Sequence, residues 1–569
     1  MVKMKPVYTL GICNDETSSA CLFKDGELVS AASEERFSRK KLDSSFPQQA
    51  IDFVLSNSDI SFKNLSNIAY SWAKGFDVDL LPNYIERSAT ALKDSSEAYN
   101  IFLDRVAWDI KKDRKGRDEY SSWLNQQNLE NIEVQDFYHH ESHASSAALL
   151  SPFDKGVVLT ADGRGDFEST TIWLFDRQKT QCLTKIYSAP SCDSLGYFYG
   201  RITGLLGFKP MRHEGKITGL AAFGEPHKAL PLMKSMIKVK DGKLTSNLGD
   251  YYRPFFTPYS DKLIAEIEKF SKEDIAAAAQ YHLEACLCEL LDFHLKNHNI
   301  SKTPLMLAGG VFGNVKATEA LKKLESVNEV FVQPQMGDGG LCLGAAALLV
   351  HSMNIPIQPL KDVYLGPYTD SESYDLKSDE NLIFETLVNP EEQFCKDLSD
   401  NKVIGLARGR MEFGPRALCN RSIVYKTSDS SINDWLNQRM NRTEFMPFAP
   451  VIRAETAEKA FKKFSSDDIT LKFMTSTISC SDDFATKCPS VTHIDQTARP
   501  QVVHQKDDQF MWNILKKWEE MSGEMSLVNT SFNAHEEPIV CSAGDCITSL
   551  KSKMIDILYL DNYRILLKK

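Results

Sequence analysis

Apolar and polar positions alternate along this chain in two different periods. Residues 7–12, 20–24 and 28–32 are short apolar runs that predict three strands, the last two joined through the turn Lys24-Asp25-Gly26. Helical spacing follows over 47–55. Further on, 157–161 predicts a buried strand, Asp162-Gly163-Arg164-Gly165-Asp166 a turn, and 170–175 another strand. Residues 194–206 and 276–296 carry the helical period. Residues 305–308 make a short strand running into Gly309-Gly310, and 341–350 an apolar helix. Residues 354–373 hold three prolines and little periodicity, after which strand and helix signals resume as far as 555–560 and 563–567. Strands alternating with helices predict an α/β architecture. The segmentation predicts one domain over 1–355, a linker over 356–373 and a second domain over 374–569. No solenoid-period repeat and no low-complexity tract is visible.

At 569 residues the chain exceeds one ordinary core, which agrees with two domains. It is 42% hydrophobic and 25% charged, as expected of a soluble globular enzyme. A formal charge of −11 gives no electrostatic footprint for nucleic acid. The start has no long apolar core or small-residue cleavage site, and no run reaches transmembrane length, so neither a signal peptide nor a membrane association is expected. The 13 cysteines are scattered and unpaired in sequence, which favours a reducing cytoplasm over a disulfide framework. Cys286 and Cys288 lie on a helical stretch and read as core.

The most charged loop is residues 409–422, directly after the strand-like run 403–407. It carries Arg410, Arg416 and Arg421 around Gly414-Pro415. Guanidinium forks on a glycine-bearing loop suit phosphate or carboxylate, because arginine binds planar oxyanions bidentately and keeps its charge. Arg442 in the run 441–450 and Arg499 in the turn 497–501 add to the supply. Asn529, Ser531 and Asn533 follow a strand and offer amide and hydroxyl groups to a ribose or phosphate. At least five loop arginines in one half of the chain predict an anion site there.

In the other half, glycine-bearing turns at 11–19, 162–166 and 309–313 each follow a strand, with Asn14, Asp162 and Asn314 beside them. Such turns let backbone N–H groups approach a phosphate closely, although each can also be only a tight turn. His139 and His143 are spaced i, i+4, so on a helix their imidazoles share one face and can chelate one ion. Hydrogen-bonded histidines at a helix start are the alternative. Asp338, ahead of the apolar helix, would complete two histidines and a carboxylate, a set that suits Fe(II), with Zn(II) or Mn(II) as rivals. Lys216 either presents a cation to an anionic ligand or belongs to a charged turn. The dense run at 34–41 reads as a solvated face.

Taken together, residues 34–41, 139–144, 162–166, 216–224, 308–314, 337–346, 409–422, 442–450, 492–501 and 529–540 resemble the NodU/CmcH-type O-carbamoyltransferases. The motifs occur in the family's order across practically the whole chain. The resemblance implies an N-terminal actin-like ATPase (Kae1-like) domain and a C-terminal YrdC-like twisted α/β domain. It implies that carbamoyl phosphate and ATP, the latter as its magnesium complex, give carbamoyl-adenylate in the second domain, releasing phosphate and pyrophosphate. A hydroxylated small molecule then attacks the carbamoyl carbon in the first domain, and AMP leaves. His139, His143 and Asp338 fall on the family's metal positions, expected to hold iron. Arg410, Arg416, Arg421, Arg442 and Arg499 would neutralise the phosphates, with Arg416 and Arg499 acting catalytically. Asp162, Gly163, Gly165, Lys216, Gly309, Gly310, Asn314, Asn529, Ser531 and Asn533 would hold the nucleotides.

Two positions depart from the family pattern. Many members carry His-Asp where this chain has Glu16-Thr17, so Glu16 or His140 becomes the expected acceptor base. Glu536 replaces a glycine common in the family. Rival readings are a fused tRNA threonylcarbamoylation enzyme, which the acidic balance opposes, and a non-enzymatic actin-like switch, which would need no second anion site. Homodimerisation is a further expectation.

Overall fold

The structure, a computed structural model, describes residues 5–72, 96–253, 257–369, 374–375, 378–441 and 445–568. The chain divides into two compact units, one comprising Met1–Glu34 and Ser44–Leu360, the other Glu35–Asp43 and Lys361–Lys569.

The first unit holds two five-stranded sheets. One comprises β1 (Tyr8–Cys13), β2 (Ser19–Lys24), β3 (Glu27–Ser33), β4 (Asn67–Tyr70) and β5 (Glu133–Asp136), in the order β3-β2-β1-β4-β5. The other comprises β6 (Lys155–Gly165), β7 (Glu168–Asp176), β8 (Leu183–Pro190) and, beyond the hairpin of β9 (Ile237–Lys240) and β10 (Lys243–Ser246), β11 (Thr303–Ala308) and β12 (Val327–Val332). Its order is β12-β11-β6-β7-β8. In both sheets the first three strands form an antiparallel meander and the last two run parallel to the first. One topology is therefore used twice.

The helix after each repeat packs on the other repeat's sheet. His139–Leu150 follows β5 and lies on β6 and β11, while Leu341–Ser352 follows β12 and lies on β1 and β2. The two helices touch closely because Gly344 has no side chain: a Cβ there would come within 1.8 Å of the Ser142 carbonyl oxygen. Gly11, expected to open a turn, is instead inside β1, where a Cβ would meet the Cys342 carbonyl oxygen at 2.2 Å. It is a packing glycine.

Residues 162–165, also expected as a turn, extend β6, with a register shift against β7 between Ala161 and Gly165. The reversal falls at Asp166 and Phe167, whose φ angles are 49° and 68°. A bulge at a strand end re-aims side chains, and here it aims Asp162.

The second unit is a mixed sheet of eight strands: β13 (Leu382–Thr386), β14 (Ile404–Ala407), β15 (Arg421–Lys426), β16 (Ala449–Arg453), β19 (Gln501–Val503), β20 (Leu527–Ser531), β21 (Ile557–Leu560) and β22 (Tyr563–Leu567). A two-stranded ribbon, β17 (Ile478–Ser479) with β18 (Thr497–Ala498), flanks it. Successive residues go to opposite faces. Ile423 and Tyr425 join one apolar core, while Val424, Ile404 and Leu406 join the other. Both faces are buried, which accounts for the near-continuous apolar runs.

The described part of the expected linker, residues 356–369, is hydrogen-bonded to the units on either side. Leu360 N–H donates to Leu150 in the first unit, whereas Phe413 N–H donates to Val363 and Met411 N–H to Pro367 in the second. Among the described residues the cysteines are free and all but Cys288 are buried, and no helix is long and apolar enough to cross a membrane.

Candidate functional site

In the first unit, chemistry converges where the helices His139–Leu150 and Leu341–Ser352 begin. His139 and His143 stand one turn apart on the first of these helices and are fully buried. Tyr138 gives the helix no side-chain cap, and the Asp166 carboxylate accepts the His139 N–H at 2.6 Å instead. Asp338 sits in the short turn Asp338–Gly340 that leads into the second helix. Asp162 enters from the bulged end of β6.

His143 Nε2 lies 3.1 Å from Asp162 Oδ2 and 3.6 Å from Asp338 Oδ1; His139 Nε2 lies 3.9 Å and 3.8 Å from the same atoms. One donor atom from each of the four residues falls within 4.8 Å of all the others. Asp162, assigned from sequence to a nucleotide, therefore stands among the metal candidates as a fourth member.

Burial and mutual contact set the protonation of the four groups differently. Burial pushes the His139 ring down to about 4, so it is neutral. Burial opposes charge on His143 too, but bonds to Asp162 and Asp338 outweigh it and hold the ring up at about 9. Burial and the neighbouring Asp162 charge raise Asp338 to about 8. Asp162, despite burial, is held well below the carboxylate range by the two imidazoles.

Among the described residues neither ring nitrogen of His139 has a hydrogen-bond partner, nor does His143 Nδ1. Of these, His139 Nε2 faces both carboxylates, and a buried, unpartnered imidazole nitrogen costs folding energy unless something satisfies it. A divalent cation fits this donor set, and two imidazoles with two carboxylates suit Fe(II), Mn(II) or Zn(II).

Several residues expected at a nucleotide make structural contacts. A Cβ on Gly165 would come within 2.1 Å of the His139 ring, so this glycine makes room for a histidine. Gly309 has φ 102° and closes on the Ala161 backbone, which a Cβ would meet at 2.2 Å. Gly310 N–H donates to Asp162 Oδ2 at 3.2 Å, and Gly163 N–H to Asp162 Oδ1 at 2.6 Å. Asn314 caps the helix Val315–Lys322, accepting from the N–H groups of Lys316 and Ala317, and exchanges bonds with Gln280. Lys216 is buried within the helix Glu214–Leu220.

Of the two expected acceptor bases, His140 is fully buried with Nδ1 at 2.7 Å from Thr160 Oγ1. Glu16 is 43% exposed and accepts from Lys112 at 2.6 Å. Of the two, Glu16 is the accessible one.

In the second unit the arginine loop joins β14 to β15 and is held by its own anion. Glu412 Oε1 accepts the N–H groups of Leu418, Asn420 and Arg421 at 2.6, 2.9 and 3.1 Å. Three amide donors converging on one carboxylate form a nest that the loop fills with its own side chain.

Arg421 is fully buried and donates to the carbonyls of Arg408, Gly409, Asn420 and Pro367. Nη1 and Nη2 are thus engaged by backbone oxygens and hold the loop, while Nε, also buried, has no hydrogen-bond partner among the described residues. Arg410 likewise donates to the Gly366 carbonyl at 3.2 Å and to that of Leu365. Arg416 and Arg499 remain half-buried. Arg442 lies outside the described residues.

Asn529 and Ser531 are within β20 rather than after it. Asn529 Nδ2 donates to the Ala417 carbonyl at 3.1 Å and to Gln501 Oε1 at 2.7 Å, so it brackets the two loops bearing Arg416 and Arg499. Half-buried Ser531 pairs with Ser422, and Asn533 donates to the carbonyls of Ala534 and Glu537, closing its own turn. In that turn Glu536 has φ 62°, the region that favours glycine. Glu412 was missed from sequence; its place four residues before Arg416 gave no periodic signal.

Comparison with known proteins matches both halves of the chain to one family. The family model described as Carbamoyltransferase N-terminus matches residues 9–347, and Carbamoyltransferase C-terminus matches 395–567. The uncharacterized protein MJ1051 of Methanocaldococcus jannaschii is 30% identical over 98% of this chain and 99% of its own. Nodulation protein NolNO of Sinorhizobium fredii is 30% identical over 96% of this chain and 78% of its own. The 3'-hydroxymethylcephem-O-carbamoyltransferase of Amycolatopsis lactamdurans is 26% identical over 73% and 78%. Among solved structures, component A of the Acidaminococcus fermentans (R)-2-hydroxyglutaryl-CoA dehydratase is a remote likeness, with TM-score 0.34 and 16% identity over 61% of this chain and 98% of that one. The chain thus belongs to the carbamoyltransferase family, of the NodU/CmcH O-carbamoyltransferase type, and is a transferase enzyme.

Proposed function

We propose that this chain is an ATP-dependent O-carbamoyltransferase that makes carbamoyl-adenylate in its second unit and passes the carbamoyl group to a hydroxyl of a small natural product in its first. The observation that carries the reading is the cluster of buried His139 and His143 with part-buried Asp162 and Asp338 in one unit, in a chain whose two halves both match carbamoyltransferase family models.

Release of both phosphate and pyrophosphate requires one water. It cleaves phosphate from carbamoyl phosphate to leave carbamate, whose oxygen attacks the α-phosphorus of ATP as pyrophosphate departs. Arg416 and Arg499 are the cations assigned to these phosphates, with Asn529 setting their spacing. Arg410 and Arg421 hold the loop's shape. In the transfer step the acceptor oxygen attacks the carbamoyl carbon, its proton goes to a base such as Glu16, and the bond to the AMP oxygen breaks.

A divalent metal, in our reading iron, would be held by His139, His143, Asp162 and Asp338 and would supply Lewis-acid polarisation. The repeated sheet topology supports an actin-like first unit, and the mixed eight-stranded sheet is the unit assigned to a YrdC-like fold. A cytoplasmic setting suits carbamoyl phosphate and ATP as co-substrates.

The test is pyrophosphate release from ATP and carbamoyl phosphate without acceptor, with mass-spectrometric detection of carbamoyl-adenylate. Absence of both from metal-replete protein would remove the activation step from this account.

A further inference from the structure

Residues 35–43 come from the N-terminal half of the sequence, between β3 and the helix Gln48–Ser56, yet belong to the second unit. The dense charge here reads from sequence as a solvated face, but Glu35 and Arg36 are buried. Glu35 Oε2 accepts the Leu42 N–H at 2.7 Å and so closes the segment on itself. Glu35 Oε1 pairs with Arg36 Nη1 at 3.1 Å, which fixes the plane of that guanidinium.

Two arginines then reach the body of the unit. Arg39 donates to the carbonyls of Ile539 and Pro538 at 2.8 and 2.9 Å. Arg36 Nη2 donates to the Gly414 carbonyl at 3.0 Å.

The Gly414 contact falls at a sensitive place. Gly414 has φ 149°, a conformation open mainly to glycine, and glycine's backbone is also the least restrained. The residue after it is Pro415, which has no N–H. The peptide unit between them can therefore be anchored by a hydrogen bond only through the Gly414 carbonyl, and Arg36 is a donor on it. Arg416 follows immediately. Glu412 secures the later part of the loop, at Leu418, Asn420 and Arg421, but not this peptide.

From this geometry we infer that Arg36 is a positioning residue for the activation loop: it orients the Gly414–Pro415 peptide and so aims Arg416 at the anionic substrate. The inference rests on the activation reading above. It makes a residue of the N-terminal sequence half a determinant of chemistry in the second unit.

The experiment uses the full-length protein and the variants Arg36→Ala, Arg36→Lys and, as control, Lys40→Ala, whose side chain is exposed. Two readouts are taken: hydrogen–deuterium exchange over 409–422, and the KM for carbamoyl phosphate in pyrophosphate release. Arg36→Ala is expected to speed exchange within the loop while β14 and β15 stay protected, and to raise KM roughly tenfold to a hundredfold, the scale of one lost charged hydrogen bond. Arg36→Lys recovers part of the loss, and Lys40→Ala behaves as wild type.

Unchanged loop exchange and unchanged KM in Arg36→Ala would overturn the inference. So would exchange raised across the whole unit in both Arg36 variants, which marks a merely structural role. If wild-type protein releases no pyrophosphate, the activation reading fails by itself, and loop exchange alone decides whether Arg36 positions the loop.

Discussion

Asp162 Oδ2 lies 3.1 Å from His143 Nε2, which makes a carboxylate at the bulged end of β6 part of a histidine cluster. The same oxygen accepts the Gly310 N–H, so Asp162 ties the cluster to the turn after β11. Asp162→Asn should weaken divalent-metal binding at least roughly tenfold, as should His143→Ala. Metal content after dialysis, measured by inductively coupled plasma mass spectrometry, checks this. Full metal retention in Asp162→Asn would leave the original three residues as the ligand set.

Metal loading should be pH-dependent, with a definite sign. In the metal-free cluster His143, raised to about 9, and Asp338, raised to about 8, hold protons at neutral pH. A cation needs both groups deprotonated, so binding expels about one to two protons. Apparent affinity should therefore rise between pH 7 and 9 and level off above, which titration calorimetry in buffers of different ionisation enthalpy would show. A flat profile would contradict the protonation scheme.

Gly165→Ala is expected to act at a distance from any ligand atom of its own. The added Cβ would overlap the His139 ring at 2.1 Å. The ring must move, so metal should be lost while the second unit's activation step is kept. Metal content together with pyrophosphate release separates the two effects.

Arg421 and Arg416 are neighbours in one loop with different fates. Arg421→Ala strips donors from four backbone carbonyls and opens a cavity in a fully buried place, so it should lower stability by roughly 3–5 kcal/mol. Arg416→Ala should stay within about 1 kcal/mol of wild type in chemical denaturation yet abolish pyrophosphate release. Equal stability losses would mean that both arginines serve the fold.

These contrasts mark what could be read from the amino-acid order. Strands such as β1, β11 and β14 were legible because each is a run of buried apolar residues, and the i, i+4 histidines were legible because a helix puts them on one face. The duplicated sheet was not legible: the repeats share a topology rather than a residue pattern, and the helix Ser96–Leu124 separates β4 from β5 where Val315–Lys322 separates β11 from β12. Arginine identity marked out the loop 409–422, but not which of its arginines the backbone would engage. Whether a guanidinium meets a phosphate or a carbonyl depends on backbone direction, as Arg421 illustrates. Gly165 and Gly309 likewise looked like room for a ligand, and the room is taken by His139 and Ala161.

The proposed mechanism assigns the two half-reactions to different units. Its most direct measurement compares Arg416→Ala and His139→Ala in acceptor-free pyrophosphate release and in full carbamoyl transfer. Arg416→Ala should lose both activities, whereas His139→Ala should keep near wild-type pyrophosphate release and lose transfer. Loss of pyrophosphate release in both variants, with each still folded, would mean that one site serves both half-reactions.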